Sequence, residues 1–398
     1  MEERAYRDLP VAGAVSPVAQ VAAALATGSG TRFASYRVPL TPGDAALVHI
    51  GRDDGTMRDV FVSPQGRVLA NLDPDARISE TVSRIHGSLM IGKIGDWLVE
   101  LAASWAIVMI VTGLYLWWPR ERGFAGVIWP RRRALVRDLH AVTGFWVSGL
   151  ALVLLVSGLP WASVWGNAFR SVRAELGLVK SASDWKLRGA APEHADHDHD
   201  AMMRIAAQPG GSFARLPEMV AHARAERLAF PALVKPPGST ERGGGMSMNW
   251  TIGSEAQNRT LVRAVAYDAV TGREVSRTGF ADKHPIDRAV GYGIAWHEGA
   301  LFGWVNQLIG VLTALALLTL AVTSFILWRR RRPVGVLGGP PVPSVPARIG
   351  GVVAIIVVLA LLLPMLALSL GAILLLEWLV LRRIPAIRHW LGLCVSTP

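Results

Sequence analysis

Two stretches of the chain repeat one another. IHGSLMIGKIGDWLVELAASWAIVMIVTGLYLWWPR, from Ile85 to Arg120, returns as WHEGALFGWVNQLIGVLTALALLTLAVTSFILWRRR, from Trp296 to Arg331. Laying His86 on His297, an offset of 211 residues, also aligns Gly92 with Gly303, Thr112 with Thr323, Trp117 with Trp328 and Arg120 with Arg331, without a gap. Leu101/Leu312, Ala103/Ala314, Val111/Val322 and Leu116/Leu327 match as well. Each copy reads histidine, a glycine soon after, about twenty apolar residues, tryptophan and arginine, which describes one membrane-crossing unit used twice.

Composition agrees. Of 398 residues, 51% are hydrophobic and only 18% charged, and the apolar runs are longer than a soluble helix needs. The formal charge of +11 comes from arginines in short blocks beside apolar segments, as topology signals are placed, so nucleic acid is not expected as a partner. The single cysteine, Cys394, excludes an intramolecular disulfide, a CxxCH haem attachment and a four-cysteine cluster.

The predicted fold is an integral membrane, mainly α-helical bundle carrying two small inserted α+β modules. Residues 1–80 form the first module: no apolar leader follows MEERAYRDLP, a helix is expected at Pro17 to Leu25, and strands at Arg32 to Pro39, Ala45 to Ile50, Met57 to Ser63 and Arg67 to Leu72. Residues 81–118 hold a surface segment and a first span, 119–136 a basic loop, and 137–165 a second span. Residues 166–290 make the second module, with a helix at Leu216 to Arg227 and strands at Met246 to Ile252, Leu261 to Tyr267 and Arg273 to Ser276. Val265 to Val275 echoes Val60 to Leu69 as strand, turn, strand, so module and span repeat together. Residues 291–328 give a third span, 329–349 a basic linker rich in proline and glycine, and 350–381 a C-terminal span before the tail 382–398. The positive-inside rule makes the Arg120–Arg137 loop and the Arg329–Arg332 block cytoplasmic and both modules extracytoplasmic.

The long apolar run at 350–381 is expected to kink at Pro364. A single crossing puts Arg382, Arg383 and Arg388 outside, against the charge rule; a hairpin keeps them inside but leaves two short arms. The start of the chain raises a second question, because an outward module at 1–80 needs a helix to carry it there. The repeat suggests an upstream histidine-bearing helix resembling Leu139 to Pro160.

The histidines carry the functional argument, since polar groups beside a membrane are costly. His86 and His297 each precede a span that runs inward, with Gly87, Gly92 and Gly95 in one copy and Gly299 and Gly303 in the other allowing the chain to bend. Two neutral imidazoles related by the repeat are suitable axial ligands for a b-type haem. His140 stands at the opposite, cytoplasmic end, above a stripe of Gly144, Ser148, Ala151, Leu155 and Gly158 that suits a flat cofactor or another helix. It would ligate half of an inner haem, its partner being the histidine of the upstream helix. Trp105, Trp146 and Trp161 lie between or around these sites, and Glu100 or Glu298 could accept a proton from a ligating imidazole. Glu377 reads as an interface residue, and His194, His197 and His199 with neighbouring aspartates as a solvated loop or a weak metal-delivery patch. His49, His222, His284 and His389 carry no pattern.

RIHGSLMIGKIGDWLVELAASWAIVMIVTGLYLWWPR, RDLHAVTGFWVSGLALVLLVSGLPWASVWG and YGIAWHEGALFGWVNQLIG resemble the PepSY-associated transmembrane proteins of bacterial inner membranes, and the two modules are similar to PepSY domains. The resemblance covers nearly the whole chain. It implies an inner-membrane protein with periplasmic modules, of a family that includes iron-regulated membrane proteins and haem-containing ferrisiderophore reductases. The implied activity is electron transfer to a ferric siderophore or other ferric chelate. The donor would be separate, membrane quinol or a soluble flavoreductase, because the chain has no GxGxxG or P-loop and its cytoplasmic loops are short. A siderophore or haem transport component and a non-catalytic binding or regulatory protein are the competing readings. Broken helices and intramembrane carboxylates would favour transport.

Overall fold

The computed structural model describes residues 2–117, 135–178, 213–239, 247–337, 349–381 and 383–391. The basic loop, the His194–Asp200 patch, most of the proline-rich linker and Cys394 lie outside the described residues. The chain divides into two compact units, one of residues 1–87, 174–186 and 190–295, the other of 88–173, 187–189 and 296–398.

The first unit is built on one antiparallel sheet. Helix α1 (Pro17–Leu25) opens on Ser16, whose hydroxyl accepts from the Ala19 amide at 3.3 Å, with Pro17 supplying a first-turn φ that needs no donor. Strands β1 (Thr31–Arg37), β2 (Ala46–Arg52), β3 (Met57–Val62) and β4 (Val68–Leu72) follow as a meander. Helix α2 (Ile78–Ser88) comes next. The second set is helix α6 (Leu216–Ala225) with β5 (Ala232–Lys235), β6 (Trp250–Ser254), β7 (Arg263–Tyr267) and β8 (Glu274–Gly279).

The strand order is β4-β3-β2-β1-β5-β6-β7-β8. The expectation of two separate modules is therefore amended: each set is one half of a single sheet, and the halves join where Tyr36 faces Val234 and Arg37 faces Leu233. Joining β1 to β5 removes the inner edge from both halves and leaves only β4 and β8 as outer edges. One core runs across the join, with Val21 and Ala24 of α1, Met219 and Ala223 of α6, and Val48, Val60, Val234, Ile252 and Val265 of the strands. At its centre the buried Tyr36 hydroxyl donates to Gln20 Oε1 at 2.6 Å, and Gln20 Nε2 donates to the Ser63 carbonyl at 3.0 Å. The opposite face of the first half is covered by the N-terminal segment, where Tyr6 stacks on Phe61 at 4.3 Å.

The second unit is helical. Helices α3 (Gly92–Trp117), α4 (Leu135–Gly158, continued by a 3₁₀ turn to Trp161) and α8 (Trp304–Arg331) are each long and apolar enough to cross a membrane, as is the segment Pro364–Leu381. At 1.5 Å per residue the shortest of the first three exceeds the roughly 30 Å hydrocarbon thickness. Helix α5 (Ser163–Glu175), not foreseen in the sequence, follows α4 at once. Helix α7 (Pro285–His297) leads from the sheet into α8.

The C-terminal run is two helices, α9 (Ile349–Leu362) and α10 (Pro364–Leu376, with a π-helical end to Leu381), broken at Leu363 (φ −122°, ψ 92°) just before the proline. Its contacts identify a hairpin. Gly351 lies against the Tyr115 hydroxyl near the end of α3, and Leu362 offers its carbonyl to Trp165 Nε1 at 3.1 Å, beside the start of α5. The chain then comes back: Trp105 Nε1 donates to Ser369 Oγ at 3.1 Å, and the Leu337 amide donates to the Trp390 carbonyl at 2.7 Å. Leu337 closely follows α8, so the chain after α10, Arg383 included, returns to the end of the unit where Arg329–Arg332 lie. Helix α11 (Pro385–Leu391) ends the described chain.

Candidate functional site

Helices α4 and α8 pack along one another and carry an imidazole at each end. His140 lies near the start of α4. Its Nδ1 is 2.9 Å from Thr323 Oγ1 on α8, and the Thr323 hydroxyl donates its only proton to the Thr319 carbonyl at 2.7 Å. The Leu320 carbonyl is a second hydrogen-bonding neighbour of the ring, so α8 holds this imidazole through Thr323 and Leu320. Below it, Gly144 sits against Leu320, while Ser148 and Ala151 are buried. At Gly144 the small-residue stripe accepts a helix, one of the two occupants that its composition allows.

His297 is the last residue of α7. Gly299 and Gly303, at φ +72° and +60°, make the turn into α8 that an L side chain would strain. The turn sets the imidazole against the far end of α4, where Nδ1 donates to the Leu154 carbonyl at 2.9 Å with Ser157 Oγ at 3.2 Å. A carbonyl can only accept, so His297 Nδ1 carries the hydrogen and Nε2 is its lone-pair nitrogen. Gly158 makes room: a Cβ there would come within 3.1 Å of the imidazole Cε1. The Trp161 ring meets the imidazole edge to face at 5.6 Å. Along α4, His140 and Leu154 are separated by about 21 Å of helix rise.

Beside His297 a half-open cavity of about 330 Å³ runs between α4 and α8, lined by Leu150, Leu154, Gly310, Thr313, Ala314 and Asn306. Asn306 is 2% exposed; its Nδ2 donates to the Trp296 carbonyl at 3.1 Å, and its Oδ1 has no hydrogen-bond partner. An apolar groove with one unused acceptor and a lone-pair imidazole nitrogen nearby is a binding site in form.

A scan against family models matches the PepSY-associated TM region over residues 2–331. The chain belongs to the PepSY-associated TM region family. No curated protein matches it. With four apolar helices of spanning length among the described residues, this member of the family is a multi-pass membrane protein. The match takes in the sheet, both copies of the repeat and the α4–α8 pair, and ends with α8; the α9–α10 hairpin lies beyond it.

The remaining sequence-predicted residues fall as follows. His86 is on the exposed side of α2, in the sheet unit, while His297 belongs to the helical unit. Glu100 faces the bundle but serves no imidazole. Its two oxygens accept from the Val164 and Trp165 amides, each at 2.9 Å, capping the first turn of α5 from a neighbouring helix. Glu298 is exposed, and Trp146 is 61% exposed. Among the described residues no cluster of three or more metal-ligating side chains forms. His49, which shows no pattern in the sequence, is tied by Nδ1 to the buried Asp59 at 2.6 Å, and Asp59 also pairs with Arg77. Thr323 and Gly158 were both visible, one as a repeat match and one in a stripe, but nothing in the chain said that they touch an imidazole.

Proposed function

We propose that this protein is a membrane electron-transfer protein that holds b-type haem through neutral imidazoles and reduces ferric chelates outside the cytoplasmic membrane. The observation that carries the reading is the pair of imidazoles held at opposite ends of the α4–α8 pair: His297 Nδ1 donates to the Leu154 carbonyl, which leaves its Nε2 for ligation, and His140 Nδ1 stands against Thr323 Oγ1. The residues fit the group. Imidazole is a haem ligand that needs no thioether, and the groove beside His297 is largely apolar.

Haem bound at these histidines supplies a one-electron couple. The chain's own part is to orient and insulate. Leu154 O and Thr323 Oγ1 hold the rings, Gly158 leaves space for one of them, and Leu150, Leu154 and Ala314 give the groove an apolar wall. In this proposal His297 and His86 serve the outer site and His140 the inner one. The sheet unit lies on the periplasmic side of a bacterial inner membrane and presents the ferric siderophore or another ferric chelate. Each Fe(III) takes one electron and leaves as Fe(II), which oxygen-donor chelators hold less tightly. Electrons come from a separate donor, quinol or a cytoplasmic flavoreductase.

A transport component is the second reading, drawing on the helix broken at Leu363 and the buried Asp96 and Glu100 in α3. The optical spectrum of the purified full chain separates the two. Six-coordinate b-haem bands, sharpened by dithionite and lost or halved in His297→Ala, are the expected result. A protein that stays colourless after haem is supplied overturns the electron-transfer reading and leaves the transport one.

A further inference from the structure

Helix α2 is amphipathic with its faces reversed. Ile78, Val82 and Ile85, with Leu89 just past its end, are 73%, 58%, 50% and 48% exposed. The one buried residue of the helix is Gly87, with Glu80 and Ser83 half-buried near it. At about 100° per residue the four aliphatic side chains fall within about 60° of arc, and Glu80, Ser83 and Gly87 lie on the opposite side. A helix packed on a protein in water turns its aliphatic stripe inward; this one turns it out.

The chain says what covers the stripe. After Leu89 come Met90 and Ile91, 55% and 56% exposed, and then α3, a span whose first turns leave Ile94, Trp97 and Leu98 exposed. Leu89 and Met90 have positive φ and Gly92 follows at +65°, so the chain turns sharply between the two helices. Lys93 Nζ rests 5.5 Å from the centre of the Trp97 ring, the residue pair that marks a membrane–water boundary. The exposed aliphatic run is thus continuous along the chain with a segment that must meet lipid.

We propose that α2 lies in the membrane interface with Ile78, Val82, Ile85 and Leu89 immersed in lipid, docking this end of the sheet unit on the bilayer surface. His86 borders the stripe, about 40° round the helix from Val82. Immersion of the stripe sets its imidazole at the boundary between acyl chains and headgroups, so the inference also gives the depth at which this histidine works.

Nitroxide labels in the full chain test the inference, because Cys394 is the only cysteine to remove. Single cysteines at Ser79, Val82, Arg84 and Ile85 in a Cys394→Ser background are labelled, reconstituted in phosphatidylcholine–phosphatidylglycerol vesicles, and probed for collision with oxygen and with a water-soluble nickel chelate. Labels at 82 and 85 are expected to meet oxygen and be shielded from nickel, with the ratio reversed at 79 and 84. Nickel access at 82 and 85 means that the stripe is in water and overturns the proposal. Shielding from both reagents means that a protein surface covers it, and overturns it equally. The measurement does not involve haem, so it stands or falls apart from the electron-transfer reading.

Discussion

The two copies of the repeat share their residues but not their neighbours. In the second copy, α8 is covered by α4, Thr323 Oγ1 stands against His140 Nδ1, and His297 is tied to the end of α4 by its Nδ1. In the first copy, α3 is flanked by the C-terminal hairpin, with Tyr115 on Gly351 and Trp105 on Ser369. Thr112, the counterpart of Thr323, bonds to the Val108 carbonyl of its own helix at 2.6 Å, and His86 is exposed. A histidine-glycine-span unit thus specifies a helix and a possible ligand. Whether the ligand is oriented depends on which helix lies alongside.

Histidine substitutions strain this contrast hardest. His297→Ala is expected to remove one haem equivalent from the reduced spectrum. If His86 is its partner across the repeat, His86→Ala removes the same equivalent; if only the second copy is functional, His86→Ala leaves the spectrum intact.

The next largest effect compares the halves of the sheet. Asp59 is buried, and burial pushes its carboxyl up, but the hydrogen bond from His49 and the charges of His49, Arg77 and Arg37 outweigh this and hold it below the ordinary carboxylate range. In the second half, Arg277 pairs with Glu226 and Glu274 at the surface. Asp59→Asn is expected to cost about 2 kcal/mol, because it takes the carboxylate away from the half-buried His49 and Arg77. Glu226→Gln leaves the melting temperature unchanged. Because the folded state depresses the Asp59 value, its contribution is complete above the ordinary aspartate range, about pH 4, and is lost as pH falls through the depressed one. Thermal unfolding of wild type and Asp59→Asn across acid pH is expected to converge there.

Smaller still is the threonine pair. Thr323→Val removes the Thr323 contact to His140 Nδ1 and is expected to cost about 1 kcal/mol in thermal unfolding, recovered by Thr323→Ser. Thr112→Val removes only a bond within its own helix and is expected to cost well under about 1 kcal/mol. Equal losses would mean that the copies are used alike. Trp105→Phe deletes one half-buried hydrogen bond to the hairpin and is expected to cost about 1 kcal/mol by the same measurement.

Much of this fold is legible in the chain. The Pro17–Leu25 helix, five of the eight strands to within two residues at each end, and three spans are all readable, because alternation, turn residues and apolar length are local signals. Strand β5 is not: ALVK is four residues long with Pro236 directly after it, too short for a period to register. Strand β6 was placed too early. Of the site, the imidazoles can be named, but the amides that Glu100 caps cannot, since a carboxylate in a span looks the same whether it serves a histidine or caps a neighbouring helix.

By itself the sequence determined that the chain crosses a membrane, that a histidine-bearing span occurs twice, and that a strand–turn–strand unit precedes each copy. Periodicity and apolar length are properties of a segment and survive without neighbours. The tertiary structure decided what joins what: β1 to β5 into one sheet, α4 to α8 with a bonded imidazole at each end, and the last apolar run folded back on itself at Pro364. Those outcomes depend on contacts between residues as far apart as His140 and Thr323, or Trp105 and Ser369, and such pairs leave no mark in the spacing of a single sequence.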